Sequence, residues 1–374
     1  MNPRERLIAT LNHKEPDKMP IDFGVTTVTG IGTVAYEKLL EYLGIEKEKK
    51  FETAHIHQGL VQPSEAFYKY YKVDARPVYM KLPPRGTAVK FMQDGSFYDE
   101  YNIFWQKGTN DYAPINAPME SYSFSEMENY SWPKPTKDRI DGLKEKAEYL
   151  FNNTDFAIVA DIMCRGPFES AVKLRGYEQL LTGFYYEPDF VKKLLEKITD
   201  NTIEFWDLYL GEISDFAQVV CQGDDLGSQN ALIMGPELYR RFIKPCHKQI
   251  YDFIHSKTKA KIFMHSCGSI FDIIPDLIEI GVDILNPVQR SARDMEIKNL
   301  KKQFGKDICF WGGGIDVQQF LPKSNLDEIE EDVKKTIDIM APGGGYIFAA
   351  THNIHADAAP EKINKIFESA LKYR

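Results

Sequence analysis

Two stretches of the sequence decide the fold: Ala217-Gln-Val-Val-Cys-Gln-Gly-Asp-Asp225 and Ala260-Lys-Ile-Phe-Met-His-Ser-Cys267. Each begins with a short apolar run, which is typical of a parallel strand buried on both faces, and each ends in polar residues. Similar runs predict further strands at 19–24, 156–161, 282–285, 308–311 and 346–349, and amphipathic segments between them predict helices. Strands that alternate with helices in this way indicate βα units and a parallel sheet.

The position of the polar residues separates a closed barrel from a doubly wound open sheet, which would fit the same alternation. They directly follow one strand after another, at Asp161, Asp224–Asp225, His265–Cys267, Asn286 and His352–Asn353. In a (β/α)8 barrel the carboxyl ends of all strands converge on one mouth, so these residues would face a common pocket. We therefore predict an α/β fold, a TIM barrel, that forms one domain over residues 1–374.

Two segments do not follow this simple pattern. Residues 75–135 are aromatic and rich in turns without a clear period, which predicts strands and an irregular insertion over the C-terminal face of the barrel. Gly312-Gly-Gly314 follows the strand at 308–311 but lacks the Lys-Ser/Thr of a phosphate-binding loop. We expect the backbone to approach a ligand closely at this triple glycine.

Composition limits the classes of partner. The chain has 374 residues and a formal net charge of −9, and its few basic clusters are mixed with acidic residues, which argues against nucleic acid. The five cysteines are too sparse for a disulfide framework, so free thiols in a reducing compartment are expected. Without an apolar run after Met1 or a stretch of about 18 apolar residues, we expect a cytoplasmic protein that binds no membrane. A homodimer is compatible with the sequence.

His265 and Cys267 are candidate metal ligands. In an extended segment, residues i and i+2 point the same way, so both side chains can reach one ion. Imidazole and thiolate are zinc ligands, and a site with three protein ligands and one open position is catalytic. The alternative is a buried cysteine and a hydrogen-bonded histidine beside a turn. His352 follows the last strand and, if the barrel closes, shares the mouth with the His265 loop; it could equally be a structural or substrate-contacting residue.

Asp224 and Asp225 form a second candidate site. Paired carboxylates at a strand end can orient a polar substrate or divide acid and base roles, and the alternative is a turn or a helix cap. The sequence has neither a Gly-x-Ser-x-Gly elbow nor a Gly-x-Gly-x-x-Gly loop that opens a helix. It therefore gives no support to a serine hydrolase or to a dinucleotide-binding domain.

Taken together, several segments resemble the uroporphyrinogen decarboxylase superfamily, which is built on a TIM barrel. They are Asn2–Arg6, Pro16–Pro20, Gly223–Gly227, Pro236–Tyr239, His265–Gly268, Asp283–Pro287 and the stretch from Gly345 to Glu361. True decarboxylases carry an N-terminal Arg-Gln-Ala-Gly-Arg-Tyr segment that grips the tetrapyrrole carboxylates. The equivalent region here is Pro20–Val25, and no arginine stands between residue 20 and Arg76. The resemblance therefore favours the other branch, the corrinoid-dependent methyltransferases.

This resemblance implies a zinc site and a corrinoid cofactor carried by a small partner protein. His265 and Cys267 match the His-x-Cys pair of the methyltransferases, and His352 occupies the position of their further cysteine, so these three residues are the expected zinc ligands. Asp224 and Asp225 are the expected catalytic residues. Residues expected to contact the substrate are Asp161, Arg165, Asn286, Gln289 and Asn353.

The substrate class remains open at this stage. Methoxyaromatics, methylamines and thiols all remain open as the methyl donor or acceptor, within a metabolism of methanol or methoxy compounds. Two other functions are also compatible with the sequence: a cofactor-free decarboxylase of a small carboxylic acid or tetrapyrrole, and a non-catalytic module that binds a corrinoid or tetrapyrrole.

Overall fold

The structure is a computed structural model, and it describes residues 1–47, 51–56, 58–83, 89–108, 112–163 and 165–374. Cys164 lies outside the described residues. The strands in this part of the chain are β1 Thr53–His55, β2 Leu60–Val61, β3 Ala75–Val78, β4 Lys90–Phe91, β5 Phe97–Tyr98, β6 Phe104–Lys107, β7 Tyr112–Pro114, β8 Ala157–Ala160, β9 Val219–Gly223, β10 Lys261–His265, β11 Ile284–Asn286, β12 Cys309–Trp311 and β13 Tyr346–Ile347.

The α-helices that accompany them are α1 Pro3–Leu11, α2 Thr33–Leu43, α3 Glu65–Tyr70, α4 Phe124–Glu128, α5 Leu143–Asn153, α6 Pro167–Arg175, α7 Tyr177–Tyr186, α8 Pro188–Ile213, α9 Pro236–Leu238, α10 Lys244–Lys257, α11 Ile274–Glu279, α12 Ile297–Phe304, α13 Leu326–Met340 and α14 Pro360–Tyr373. Short 3-10 turns at Lys137–Arg139 and Phe271–Ile273 and a π-helical turn at Tyr239–Ile243 complete them. None of the described helices is both long enough and apolar enough to cross a membrane.

Seven parallel strands form a curled sheet in the order β13-β12-β11-β10-β9-β8-β3. The segment predicted as the first strand closes the ring between the two ends of this sheet. Phe348 exchanges backbone hydrogen bonds with Pro20 and Asp22, and on the other side the Asp74 amide donates to the Ile21 carbonyl at 3.0 Å. The architecture is a TIM barrel, as the sequence predicts.

The first strand is reduced to a single bridge, between Ile21 and Phe348. Side-chain carboxylates accept hydrogen bonds from the backbone amides that would pair with a neighbouring strand in a longer ladder. The Ile21 amide donates to the Asp74 carboxylate at 2.9 Å, and the Val25 amide donates to Asp22 Oδ1 at 2.9 Å. The chain therefore turns away directly after Asp22.

The central strands are buried on both faces, as their apolar sequences require. Residues of β8, β9 and β10 other than Lys261 are buried, and their apolar side chains pack against the surrounding helices in one continuous core. Helix α1 begins with the capping box of Asn2 and Glu5. The helical segment that follows β8 is divided into α6 and α7 at Gly176, whose φ of 89° an α-helix cannot contain.

The insertion starts later than predicted, because β3 is a barrel strand that pairs with β8. The irregular segment follows Val78 and contains a four-stranded antiparallel sheet in the order β4-β5-β6-β7. This sheet has a small apolar cluster of its own around Phe97 and Trp105. Because Phe97, Trp105 and Tyr112 also line the cavity that His265 borders, the insertion covers the mouth of the barrel.

Packing within the chain accounts for the triple glycine. A side chain at Gly312 would lie 2.6 Å from the Pro287 carbonyl oxygen, and one at Gly314 would lie 2.6 Å from that of Ala349. Close approach to neighbouring backbone of the same chain therefore requires glycine here, and the approach to a ligand stays a prediction.

Candidate metal centre and cavity

The loops after β9 and β10 lie against each other at the barrel mouth. The two strands pair in register, with His265 opposite Gly223. Gly268 has a φ of 84°, and a side chain there would lie 2.5 Å from the backbone of Gly227, so only glycine allows this contact. The packing places Asp225 beside the metal-ligand candidates, and the Cys267 amide donates to Asp225 Oδ1 at 2.8 Å.

His265, Cys267 and His352 form a compact cluster. One ligand atom from each residue lies within 4.8 Å of the others, and Cys267 Sγ is 3.4 Å from His265 Nε2. The His265 and His352 rings meet edge to face, with centroids 5.4 Å apart. Two imidazoles and a thiol at this spacing match the donors that zinc prefers, so the residues fit the metal that the sequence predicts.

A hydrogen bond orients His265 toward the cluster. The Asn286 Nδ2 group donates to the Trp311 carbonyl at 2.7 Å, which turns Asn286 Oδ1 toward His265. His265 Nδ1 is 2.5 Å from that oxygen and therefore carries the proton. The Nε2 lone pair of His265 is left facing Cys267, which is the tautomer that a metal ligand needs.

His352 is held differently. Its Nδ1 accepts a hydrogen bond from the Asn353 amide at 2.7 Å, so the proton of the neutral ring lies on Nε2. Desolvation and the neighbouring His265 lower the pKa of His352 and keep the ring neutral. Coordination through Nε2 therefore requires this proton to leave Nε2, unlike in His265, where Nε2 already carries the lone pair.

The surroundings of Cys267 favour a bound cation. Burial and the negative charge of Asp225 raise the pKa of the thiol well above its usual value, so it keeps its proton when no cation is present. Asp225 Oδ1 lies 3.7 Å from His265 Nε2, and its side chain is 44% exposed. Asp225 is thus the carboxylate that contacts both the cluster and the cavity.

Asp224 lies elsewhere, and this corrects its expected role beside the substrate. Its side chain is fully buried and accepts hydrogen bonds from the Phe168 amide at 3.0 Å, the Glu169 amide at 2.7 Å and His247 Nε2 at 2.8 Å. These contacts use both oxygens of the carboxylate. Asp224 anchors the first turn of α6 to the barrel and is a positioning residue.

Two residues expected to contact substrate have their polar atoms occupied by the protein. Asn286 orients His265. Asn353 accepts from the Gly30 amide at 2.6 Å and donates to the Thr27 carbonyl and to Gln58, so it ties the first barrel loop to the last. Neither Asn286 nor Asn353 is among the described residues that line the cavity, and their contact with a substrate stays a prediction.

The other expected contacts are distributed differently. Gln289 accepts from the Gly268 amide at 2.8 Å and supports the ligand loop. Asp161 is buried and accepts from the Thr27 amide at 2.9 Å through Oδ2, and its Oδ1 has no hydrogen-bond partner among the described residues. Burial raises the pKa of Asp161 to about 7. Arg165 lines the cavity, and its contact with a substrate stays a prediction.

The cavity next to the cluster has a volume of about 480 Å³. Barrel residues that include Asp225, His265 and His352 form one part of its wall, and the insertion forms much of the rest. Functional candidates that the sequence reasoning missed also line it: Tyr79, Trp105, Glu169 and Lys173. The aromatic richness of the insertion was their only sequence signal, because Glu169 and Lys173 look like ordinary helix-surface charges until α6 is placed.

The fold and the site together define a TIM barrel with a candidate metal centre at the carboxyl ends of its strands. The family model for uroporphyrinogen decarboxylase matches residues 111–373. The chain therefore belongs to the uroporphyrinogen decarboxylase family, which confirms the resemblance seen in the sequence.

Two individual proteins that resemble this chain have low sequence identity to it. A uroporphyrinogen decarboxylase from Mannheimia succiniciproducens is 24% identical over 205 residues; the match spans 53% of this chain and only 52% of the relative's length. A solved methyltransferase from Methanosarcina mazei is 18% identical, with a TM-score of 0.69 over 100% of this chain and 99% of the other. At this identity the structural match establishes a shared fold.

Proposed function

We propose that this protein is a zinc-dependent methyltransferase that moves a methyl group between a small substrate and a corrinoid held by a partner protein. The observation that carries the proposal is the cluster of His265, Cys267 and His352 beside the cavity. A zinc ion bound there would act as a Lewis acid toward the substrate heteroatom. The methyltransferase fold match supports this branch of the family.

Residues of the chain would hold and orient the reacting group. The cavity has room for a molecule of modest size, and residues of the insertion form much of its wall. When a heteroatom loses its methyl group, it becomes more basic and must gain a proton or a cationic partner. Asp225 is the partly exposed carboxylate next to His265 and Cys267, and it would exchange that proton with solvent.

A corrinoid with its side chains is larger than this cavity, which supports delivery of the cofactor by a separate small protein. That protein would dock at the barrel mouth, where the carboxyl ends of the strands meet. Pull-down with candidate corrinoid proteins in their methylated and reduced forms would identify the partner.

The zinc site has a direct test. Purified protein should hold about one zinc per chain, and Cys267→Ser should lower zinc affinity by about 10-fold or more, because the thiolate is lost. His352→Ala should have a smaller effect than Cys267→Ser, because His352 needs a proton shift to bind. Metal content by mass spectrometry and competition with a chelator measure both.

Cys246→Ser is the matched control, since Cys246 lies in α10 and bonds to the Phe242 carbonyl. It should retain all of its zinc. Retention of zinc at wild-type affinity in Cys267→Ser would refute the site.

A decarboxylase is the second candidate, and the match to the Mannheimia enzyme favours it. It predicts carbon dioxide release from a small acid by protein stripped of metal. Absence of turnover in metal-free protein, with recovery of methyl transfer on zinc addition, would decide for the methyltransferase.

A further inference from the structure

Two cations on the cavity wall, Arg165 and Lys173, donate no side-chain hydrogen bond within the described chain, and only Arg165 has carboxylates within ion-pair distance. Lys173 makes no hydrogen bond or ion pair within the described chain, and its Nζ lies 5.7 Å from the centre of the Trp105 ring. The Arg165 guanidinium lies 5.0 Å from the same ring centre, and its nearest carboxylate oxygens are 3.5 Å away in Glu169 and 3.9 Å away in Asp99. Both cations therefore keep unused hydrogen-bond donors.

Of the acidic groups on the same wall, Asp99 and Glu100 are bonded to further partners, and Asp225 accepts from the Cys267 amide. Asp99 accepts from the Tyr101 and Ile103 amides and from the Trp105 indole. Glu100 is paired with Arg139, and both side chains are mostly buried. Burial raises the pKa of Glu169 to about 7, so its negative charge is incomplete at neutral pH. The cavity therefore has spare cationic capacity although its formal charges nearly balance.

The cations and the metal-ligand cluster line one cavity together with flat side chains. Tyr79, Tyr101 and Tyr112 join Trp105 in its wall. Aromatic walls favour a flat apolar body through stacking and edge contacts. A guanidinium and an ammonium with free donors favour a carboxylate through charge-assisted hydrogen bonds.

We propose that Arg165 and Lys173 bind the carboxylate of a flat, ring-containing acid whose reacting group lies toward His265 and Cys267. This inference rests on the proposed function only for the identity of the reacting group. It narrows the methyl donor or acceptor to an aromatic acid, since a small neutral alcohol would bring no negative charge to the unused donors of Arg165 and Lys173.

Calorimetric titration with a matched pair of probes tests the carboxylate site. The two probes, 4-methoxybenzoate and 4-methoxybenzamide, have similar shapes and differ in charge. Wild-type protein should bind the benzoate about 10-fold more tightly or better, the usual strength of a hydrogen bond to a charged group. Lys173→Met should remove about 10-fold of the benzoate affinity and leave the benzamide affinity unchanged.

Lys192→Met is the control for loss of one positive charge, because Lys192 is exposed on α8. Arg165→Lys keeps the charge and should retain part of the benzoate preference, whereas Arg165→Met should not. Equal affinity for the two probes, no detectable benzoate binding at millimolar concentration, or stronger binding of tetramethylammonium would each overturn the proposal.

Zinc content measured in the same samples separates this inference from the proposed function. A zinc-loaded protein that does not distinguish the probes would refute the carboxylate site alone. A protein that binds benzoate selectively but never holds zinc would refute the proposed function alone.

Discussion

At the scale of single residues, the least obvious contribution to the metal centre is that of Asn286. It does not reach the cluster, but it fixes which nitrogen of His265 carries the proton. Asn286→Leu should therefore lower zinc affinity by about 10- to 100-fold, as loss of a residue behind a metal ligand commonly does. Chelator competition measures the change.

Asn286→Asp provides the comparison, because it keeps the acceptor for His265 Nδ1 while it loses the donor to the Trp311 carbonyl. It should bind zinc nearly as well as wild type even if its melting temperature falls. If Asn286→Leu and Asn286→Asp lose zinc equally, the orientation of His265 does not depend on this hydrogen bond.

Asp161 should make stability depend on pH. Its pKa is about 7 in the folded protein, because the carboxyl is buried, and about 4 in an unfolded chain. The folded state then binds more protons between these values, so the stability present below pH 4 is lost as pH rises through 7. In Asp161→Asn this loss should shrink by roughly 1 kcal/mol per pH unit.

Denaturant unfolding at pH 5, 6, 7 and 8 measures that difference. The asparagine can still accept from the Thr27 amide, so the loop contact is preserved. Parallel pH profiles for the two proteins would show that Asp161 is already ionised in the folded state across this range.

At the scale of elements, Asp224 and Asp225 are neighbours with different duties. Asp224→Ala would leave two α6 amides and His247 without their buried acceptor, so we expect a loss of about 3–5 kcal/mol of stability. Asp225→Ala should keep the melting temperature within a few degrees and should slow methyl transfer. Thermal unfolding of both variants beside an activity measurement tests the division of roles.

Two results would contradict it. A stable Asp224→Ala variant with no activity would return Asp224 to the chemistry. An unfolded Asp225→Ala variant would make Asp225 structural, although its side chain is half exposed.

The sequence predicted the strands well because their signal is local. Short apolar runs such as 261–265 need no knowledge of the rest of the chain to be recognised. The same reasoning could not tell Asp224 from Asp225, because the difference depends on where α6 and His247 lie in space. The same reasoning predicted that a ligand approaches the triple glycine at 312–314, because tight packing against a neighbouring loop leaves the same sequence pattern.

At the scale of the whole molecule, the cavity argues against uroporphyrinogen as a substrate. The described cations that line it are Arg139, Arg165 and Lys173, apart from any charge on its histidines, and Arg139 is already paired with Glu100. Eight carboxylates could not be paired there, and unpaired buried charges are costly. We expect no loss of acetate carboxyls when uroporphyrinogen is incubated with the zinc-loaded protein, as product analysis would show.

A true decarboxylase assayed in parallel controls for substrate quality. Stepwise decarboxylation by this protein at a comparable rate would contradict both the cavity argument and the methyltransferase proposal.

The single bridge between Ile21 and Phe348 has a consequence for the order in which the molecule assembles. Ile21 and Phe348 lie near opposite ends of the chain, so the entropic cost of closing the loop between them is high. Formation of this contact early in folding is therefore unfavourable. We expect the contact between Ile21 and Phe348 to form after the transition state for folding. Ile21→Ala should then raise the unfolding rate and barely change the refolding rate in stopped-flow measurements. A slower refolding rate in Ile21→Ala would place this contact in the folding nucleus. Thr27 and Val28 follow Ile21 in the chain and line the cavity. A ligand bound in the cavity would therefore hold the first strand in place and slow the first opening of the barrel.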